Sequence, residues 1–156
     1  MKEKLTFEMV PEACWYVNLR SVLLPEDWDK IRKDAYARAK GKCMICLKTT
    51  SRLEAHEKWN YDEARAVQKL ETVVALCREC HEVKHISRTQ LIGRGDEAME
   101  QFMRVNECSQ SEYHEALKKA NEEYFRRNKI EEWTTDISWL KNKFGKIRNR
   151  LGKEIQ

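Results

Sequence analysis

The sequence has little of what marks membrane, secreted or unstructured chains. Its longest apolar runs, Ala13 to Val17 and Val73 to Cys77, are five residues each, against about 20 for a membrane-spanning helix. The opening MKEKLTFEMV has none of the apolar stretch of a secretory leader, which gives the expectation of a cytoplasmic protein. With two prolines and five glycines there is no low-complexity linker, and no internal repeat is visible. Net charge is also slight, +4, too small to name a partner. What is present argues against disorder: 41% hydrophobic residues and five tryptophans in 156 residues. A chain of that size buries roughly 68–70% of its unfolded surface, and a single domain over residues 1–156 is expected.

The slight net charge is unevenly spread. Lys141, Lys143, Lys146, Arg148, Arg150 and Lys153 face only Glu154 in the last stretch, which leaves the preceding 140 residues at −1. A basic tail over 141–156 can contact phosphates by counterion release, or it can simply be a solvated terminus.

The six cysteines are not read as disulfides, because cytosolic thiols stay reduced. Their spacing is more informative. Cys43-Met44-Ile45-Cys46 and Cys77-Arg78-Glu79-Cys80 are two C-x2-C pairs. Each such turn sets two thiolates on one side of a tight loop, and two turns complete a tetrahedral zinc site. Cys14 and Cys108 stand alone and are read as small core hydrophobes.

Along the chain, residues 5–24 show no clean period and are expected to be irregular or short-strand structure. Pro25-Glu26-Asp27 opens a helix over about 26–40, with Trp28, Ile31, Ala35, Tyr36 and Ala39 at helical spacing and Gly41 as the stop. A knuckle and a strand through Leu53-Glu54-Ala55-His56 follow. Ala64, Val67 and Leu70 suggest a short helix from Asp62 to about Leu70, and Val73 to Leu76 a strand. Further helices are expected over Cys80 to about Leu91, Asp96 to about Val105, and Ser111 to Asn128 with Ser111 as the cap. Trp133, Ile137, Trp139, Leu140 and Phe144 are expected to fold back on the body.

Thirty residues separate Cys46 from Cys77, more than the roughly 15–20 of a plain two-knuckle module. The inserted segment contains His56. His81 directly follows the last cysteine and His85 comes four residues later, so one helix face would carry both. A His pair at i, i+4 suits a divalent metal, and with His56 it would leave coordination positions open. His114 is given no role.

The stretch C-M-I-C, L-E-A-H-E-K-W-N-Y and V-V-A-L-C-R-E-C-H-E-V-K-H resembles the HNH (ββα-metal) endonucleases with two zinc knuckles. The resemblance covers about residues 28–92. The flanks V-P-E-A-C-W-Y-V-N-L-R-S and W-T-T-D-I-S-W-L look like small phage-associated and bacterial members. It implies an α+β, mostly helical protein: a zinc-stapled ββα-metal core, an N-terminal flank over 1–27, and a helical region over 94–144 ending in the basic tail. It also implies a bacterial or phage-infected host cell, structural Zn2+ on Cys43, Cys46, Cys77 and Cys80, and a second divalent ion (Mg2+, Mn2+, Ni2+ or Zn2+) on His56, His81 and His85. In the family one such ion holds the scissile phosphate and stabilises the leaving 3′ oxygen while a base activates water. His56, Glu57 and His81 are the catalytic candidates. The sequence departs from the pattern twice, with Glu57 at the position of the base His and Thr72 where an Asn would orient it. His56 is thus either a ligand, or the base with Glu54, Glu57 or Asp62 helping to hold the metal.

The preferred functional expectation is a metal-dependent endonuclease that nicks or cleaves DNA, including branched or single-stranded forms. Between residues 28 and 90 there are 14 Lys or Arg against 9 Asp or Glu, and Lys84, Lys146, Arg148 and Arg150 are candidate phosphate contacts. The alternative is a degenerate HNH scaffold that binds nucleic acid or protein without turnover, such as a phage-encoded inhibitor. A third reading is a zinc-stapled interaction domain with no nucleic-acid partner.

Overall fold

A computed structural model describes residues 3–155. After an irregular N-terminal segment and a single 3-10 turn at Glu12–Cys14, the chain forms a short helix α1 (Leu19–Val22) and then α2 (Pro25–Ala39). Pro25 sits where a missing N–H costs nothing, and Glu26 and Asp27 complement the helix dipole. Lys40 and Gly41 end α2 with positive φ (53° and 76°), which returns the chain into the first cysteine turn. This matches the expected helix to within a residue.

An antiparallel hairpin follows, β1 (Glu54–Asp62) and β2 (Val67–Leu76), and a short parallel strand β3 (Thr134–Asp136) pairs on the far side of β2. β1 is therefore an edge strand. The helix expected over Asp62 to Leu70 is not there: those residues form the end of β1, a turn with Ala66 at φ 54°, and the start of β2. Ala64 lies in the turn and Val67 opens β2, so the apolar spacing of three that suggested a helix runs across a hairpin turn. The strand also has a bulge. Lys58 pairs with Thr72 but Trp59 pairs with Leu70, so Glu71 is the extra residue. The bulge lets Leu70 face the same core as Val73 and Ala75, although strict alternation would put Leu70 and Val73 on opposite faces.

The hairpin separates two apolar clusters. On one face Ala55, Trp59, Leu70, Val73 and Ala75 pack with α2 and with α7 (Ser138–Phe144). On the other, Val74 and Leu76 pack with α3 (Arg78–Lys84), α5 (Gly95–Asn106) and α6 (Gln110–Arg127). The flanks complete both: Leu5 and Met9 join one cluster, Leu140 and Ile147 the other. Cys14 is buried, and Cys108 packs at the margin of the first cluster. Among the described residues there are seven helices and one three-stranded sheet, an α+β arrangement, and no helix is long and apolar enough to cross a membrane.

Three further expectations are corrected. The helix expected over Cys80 to Leu91 breaks at His85 (φ −103°, ψ 50°) into α3 and α4 (Ile86–Leu91). Thr89 Oγ1 donates to the Glu82 carbonyl at 2.7 Å, satisfying an acceptor that the break would orphan. α6 is capped by Ser109, not Ser111. Ser109 Oγ accepts from the Glu112 N–H while Glu112 accepts from the Ser109 N–H, a reciprocal box that needs Glu three residues on. The basic tail folds back instead of extending. Ile147 is buried, the Leu24 N–H donates to the Arg148 carbonyl, and the Arg148 N–H and guanidinium bind buried Asp27.

Candidate metal centres

The first centre is built by two turns brought together by the hairpin. Gly41 and Leu47 (φ 65°) shape the first, in which the Leu47 N–H donates to the Cys43 carbonyl and the Cys43 N–H to the Lys48 carbonyl. Met44 ties the turn to β2 through the Ala75 carbonyl. The second turn is the start of α3, with Cys77 as N-cap and Cys80 in the first turn. The sulfurs of Cys43, Cys46, Cys77 and Cys80 lie within 4.8 Å of one another, with Cys46 and Cys77 at 3.7 Å. Cys43, Cys77 and Cys80 are buried. Hydrogen bonds from Cys77 and Cys80 hold the Cys43 thiol far below the ordinary range, and the same sharing pushes Cys77 up to about 12. Thiolates packed this closely repel one another unless a cation sits among them. The cluster could hold a metal ion.

The second centre lies on the side of the hairpin that faces α3. His56 pairs with Val74 in the sheet register, so its ring points toward the helix while Glu57, opposite Val73, belongs to the other face. His81 and His85 come from α3 and its end; the break at His85 keeps the bond from the His85 N–H to the His81 carbonyl. One nitrogen from each ring lies within 4.8 Å of the others. The rings meet edge to face, with centroids 4.8 to 5.2 Å apart. Burial, then the charges of the neighbouring imidazoles, pushes His85 down to about 3, and burial lowers His81 as well. Both rings are neutral at pH 7 and keep a lone pair for a metal.

Glu8 is the residue that sequence reasoning missed. Its oxygen lies 2.5 Å from His56 Nε2. The Glu8 N–H donates to the Lys84 carbonyl, and buried Asn106 clamps the same segment through the Lys4 and Leu5 backbone. Burial opposes ionisation of Glu8, but the His56 contact and the Lys84 charge outweigh it and hold the carboxyl below its ordinary range. Nothing local in the sequence marks a partner 48 residues away.

The other candidates are redistributed. Glu57 Oε1 accepts from the Leu19 N–H and Oε2 from Trp59 Nε1, so the carboxylate tethers α1 to β1. Burial raises it above the ordinary carboxylate range, partly offset by those two bonds. Thr72 Oγ1 reaches only the carbonyl of Val73. Lys84 is corrected outright: it is buried, donates to Thr6 Oγ1 at 2.8 Å and lies 3.7 Å from Glu8, so it presents no surface charge to a phosphate. Arg148 is committed to Asp27, and the Arg150 guanidinium to the carbonyls of Arg20 and Ser21. Lys146 and Arg150 are both exposed, and Lys146 lies 3.8 Å from Glu154.

The three imidazoles open into a cleft of about 770 Å³ along the β1 edge, lined also by Glu8, Trp15, Trp59, Arg20 and Arg88. Among the described residues neither Arg20 nor Arg88 makes an ion pair, and the carboxylates of Glu8 and Glu57 share the lining. A smaller cleft of about 420 Å³, between α1, Trp59 and Ile137, holds none of the cysteines or histidines. No family model, curated protein or solved structure matches the chain.

Proposed function

We propose that the protein is a metal-dependent endonuclease of the HNH type that nicks or cleaves DNA, with structural zinc on the four cysteines and a second divalent cation at His56, His81 and His85. The observation that carries this reading is the convergence of three imidazoles, two of them depressed in pKa, at the mouth of a cleft beside a four-cysteine cluster. The donor sets fit the two ions. Four thiols suit a closed structural site, and three imidazoles leave positions free for phosphate and water. A divalent cation bound there supplies charge stabilisation at the scissile phosphate and the leaving 3′ oxygen. Around it the chain positions the strand: the unpaired guanidiniums of Arg20 and Arg88 attract flanking phosphates, and the exposed Trp15 indole, fixed by its bond to the Val10 carbonyl, offers a face for an unpaired base. Glu57 anchors α1 beside the cleft.

Purified protein is expected to nick supercoiled plasmid with Mg2+, Mn2+ or Ni2+, and His56→Ala and His81→Ala to abolish nicking. Failure to cut double-stranded, branched or single-stranded DNA with any of these ions would overturn the reading.

A second reading has its own support. Both Glu57 oxygens are engaged and Thr72 bonds only its own strand, so the family's base and orienting positions have no matching group free. A degenerate scaffold would bind DNA or a protein without turnover, and His85→Ala would leave that binding unchanged.

A further inference from the structure

Among the described residues, the mutually close donor set at the second centre consists of the three imidazoles; the Glu8 carboxylate is outside it. Yet a Glu8 oxygen is 2.5 Å from His56 Nε2, and His56 itself is buried to 3% exposure. An imidazole that donates through one nitrogen keeps its lone pair on the other. Glu8 is in turn held on both sides, by Lys84 Nζ at 3.7 Å from its second oxygen and by its own N–H on the Lys84 carbonyl. Metal-bound histidines characteristically donate their remaining ring N–H to a carboxylate, which fixes the tautomer and orients the ring. The same relation recurs on His81, whose Nδ1 lies 3.3 Å from Glu54 Oε1.

We infer that Glu8 is a positioning residue for the second metal: it accepts the Nε2–H of His56, so that His56 offers Nδ1 to the cation, while Glu54 does the same for His81 from the opposite nitrogen, leaving Nε2 free. The N-terminal segment is thereby part of the metal site without contributing a ligand. In that arrangement the two rings offer different nitrogens to one ion, Nδ1 of His56 and Nε2 of His81.

The inference rests on the imidazole cluster being the second metal site of the proposed function, but not on cleavage. The direct test is long-range ¹H–¹⁵N correlation NMR of histidine-labelled full-length protein, with the cysteine centre filled and Zn2+ then added to the imidazoles. His56 is expected to retain Nε2–H and to show metal-shifted Nδ1; coordination through Nε2 would overturn the inference. The second test is Co2+ titration followed by its d–d absorption. Glu8→Ala is expected to weaken Co2+ binding roughly 10- to 100-fold and Glu8→Gln, which still offers an accepting oxygen, to recover most of that loss. Wild-type affinity in Glu8→Ala would also overturn it, and thiolate-to-Co2+ charge transfer at the cysteine centre reports that the variants are folded. Zn2+ bound as expected without DNA cleavage would remove the nuclease reading and leave this one standing. Cleavage with Nε2 coordination would do the reverse, and no metal at the imidazoles would remove both.

Discussion

Asn106 connects the far end of α5 to the N-terminal segment, and its removal tests whether that segment is held by specific polar contacts. Its side-chain oxygen accepts from the Lys4 and Leu5 N–H groups at 2.8 and 2.9 Å, and its amide donates to the Leu5 carbonyl at 2.8 Å. Leu5 is fully buried, so Asn106→Ala leaves a buried donor and a buried acceptor without partners. Each such orphan costs about 1–3 kcal/mol, giving about 2–6 kcal/mol for the pair. The strain is relieved most cheaply by local opening of residues 4–10, since the core beneath keeps its helices. At about 1.4 kcal/mol per decade, the opening constant rises by at least roughly 30-fold. Native-state hydrogen exchange reads this at the Glu8 amide, which in the folded protein donates to the Lys84 carbonyl. Exchange at Glu8 should accelerate by that factor while amides of β2 change only as far as global stability does. Equal acceleration in both places, or none at Glu8, would show that the segment does not open as a unit and that its docking does not depend on Asn106.

Two shorter tests concern the helix cap and the tail. Ser109→Ala should cost about 1 kcal/mol in urea-unfolding free energy, typical of a lost N-cap, whereas Ser111→Ala should fall within about 0.5 kcal/mol of zero as a surface change; the reverse order would move the cap. Burial opposes ionisation of Asp27, but the Arg148 guanidinium and N–H outweigh it and depress its pKa. Because the folded value lies below the unfolded value of about 3.9, the unfolded chain binds more protons in that range. The contribution is therefore present above pH about 4 and lost as pH falls through the folded pKa. The stability gap between wild type and Asp27→Asn should narrow from pH 6 to pH 2.5 in urea titrations, and a constant gap would refute the assignment.

Much of the fold was legible where contacts are local. The C-x2-C turns announce themselves because two sulfurs three residues apart meet around one tight loop, and the structure does gather all four. α2 was readable from Pro25 and Gly41, since those residues act on their own φ. The second part of β2, Val73 to Leu76, was readable as a strand, but its start at Val67 to Leu70 was not. Ala64, Val67 and Leu70 are spaced by three across the hairpin turn, which imitates a helical repeat and is resolved only by the pairing with β1. The cap of α6 was readable in principle, because Ser109 and Glu112 have the reciprocal spacing and Ser111 lacks a Glu or Gln three residues on.

The candidate site divides along the same line. His81 and His85 follow from i, i+4 geometry on one side of a helix, and the break at His85 does not disturb it because the backbone bond between them survives. Adjacent in sequence, His56 and Glu57 invite a joint role, yet alternation along β1 sends them to opposite faces, one to the imidazoles and one to α1. Sequence adjacency in a strand is thus evidence of separation. The partner that His56 does acquire, Glu8, arrives from a segment without any period, held there by Asn106 and Lys84. Lys84 illustrates the cost of reading charge without burial: the residue that looked like a phosphate contact is a counter-charge that helps the Glu8 carboxylate stay ionised beside His56. The cations that do line the cleft are Arg20 and Arg88, whose guanidiniums have no acidic partner among the described residues and which share it with the carboxylates of Glu8 and Glu57.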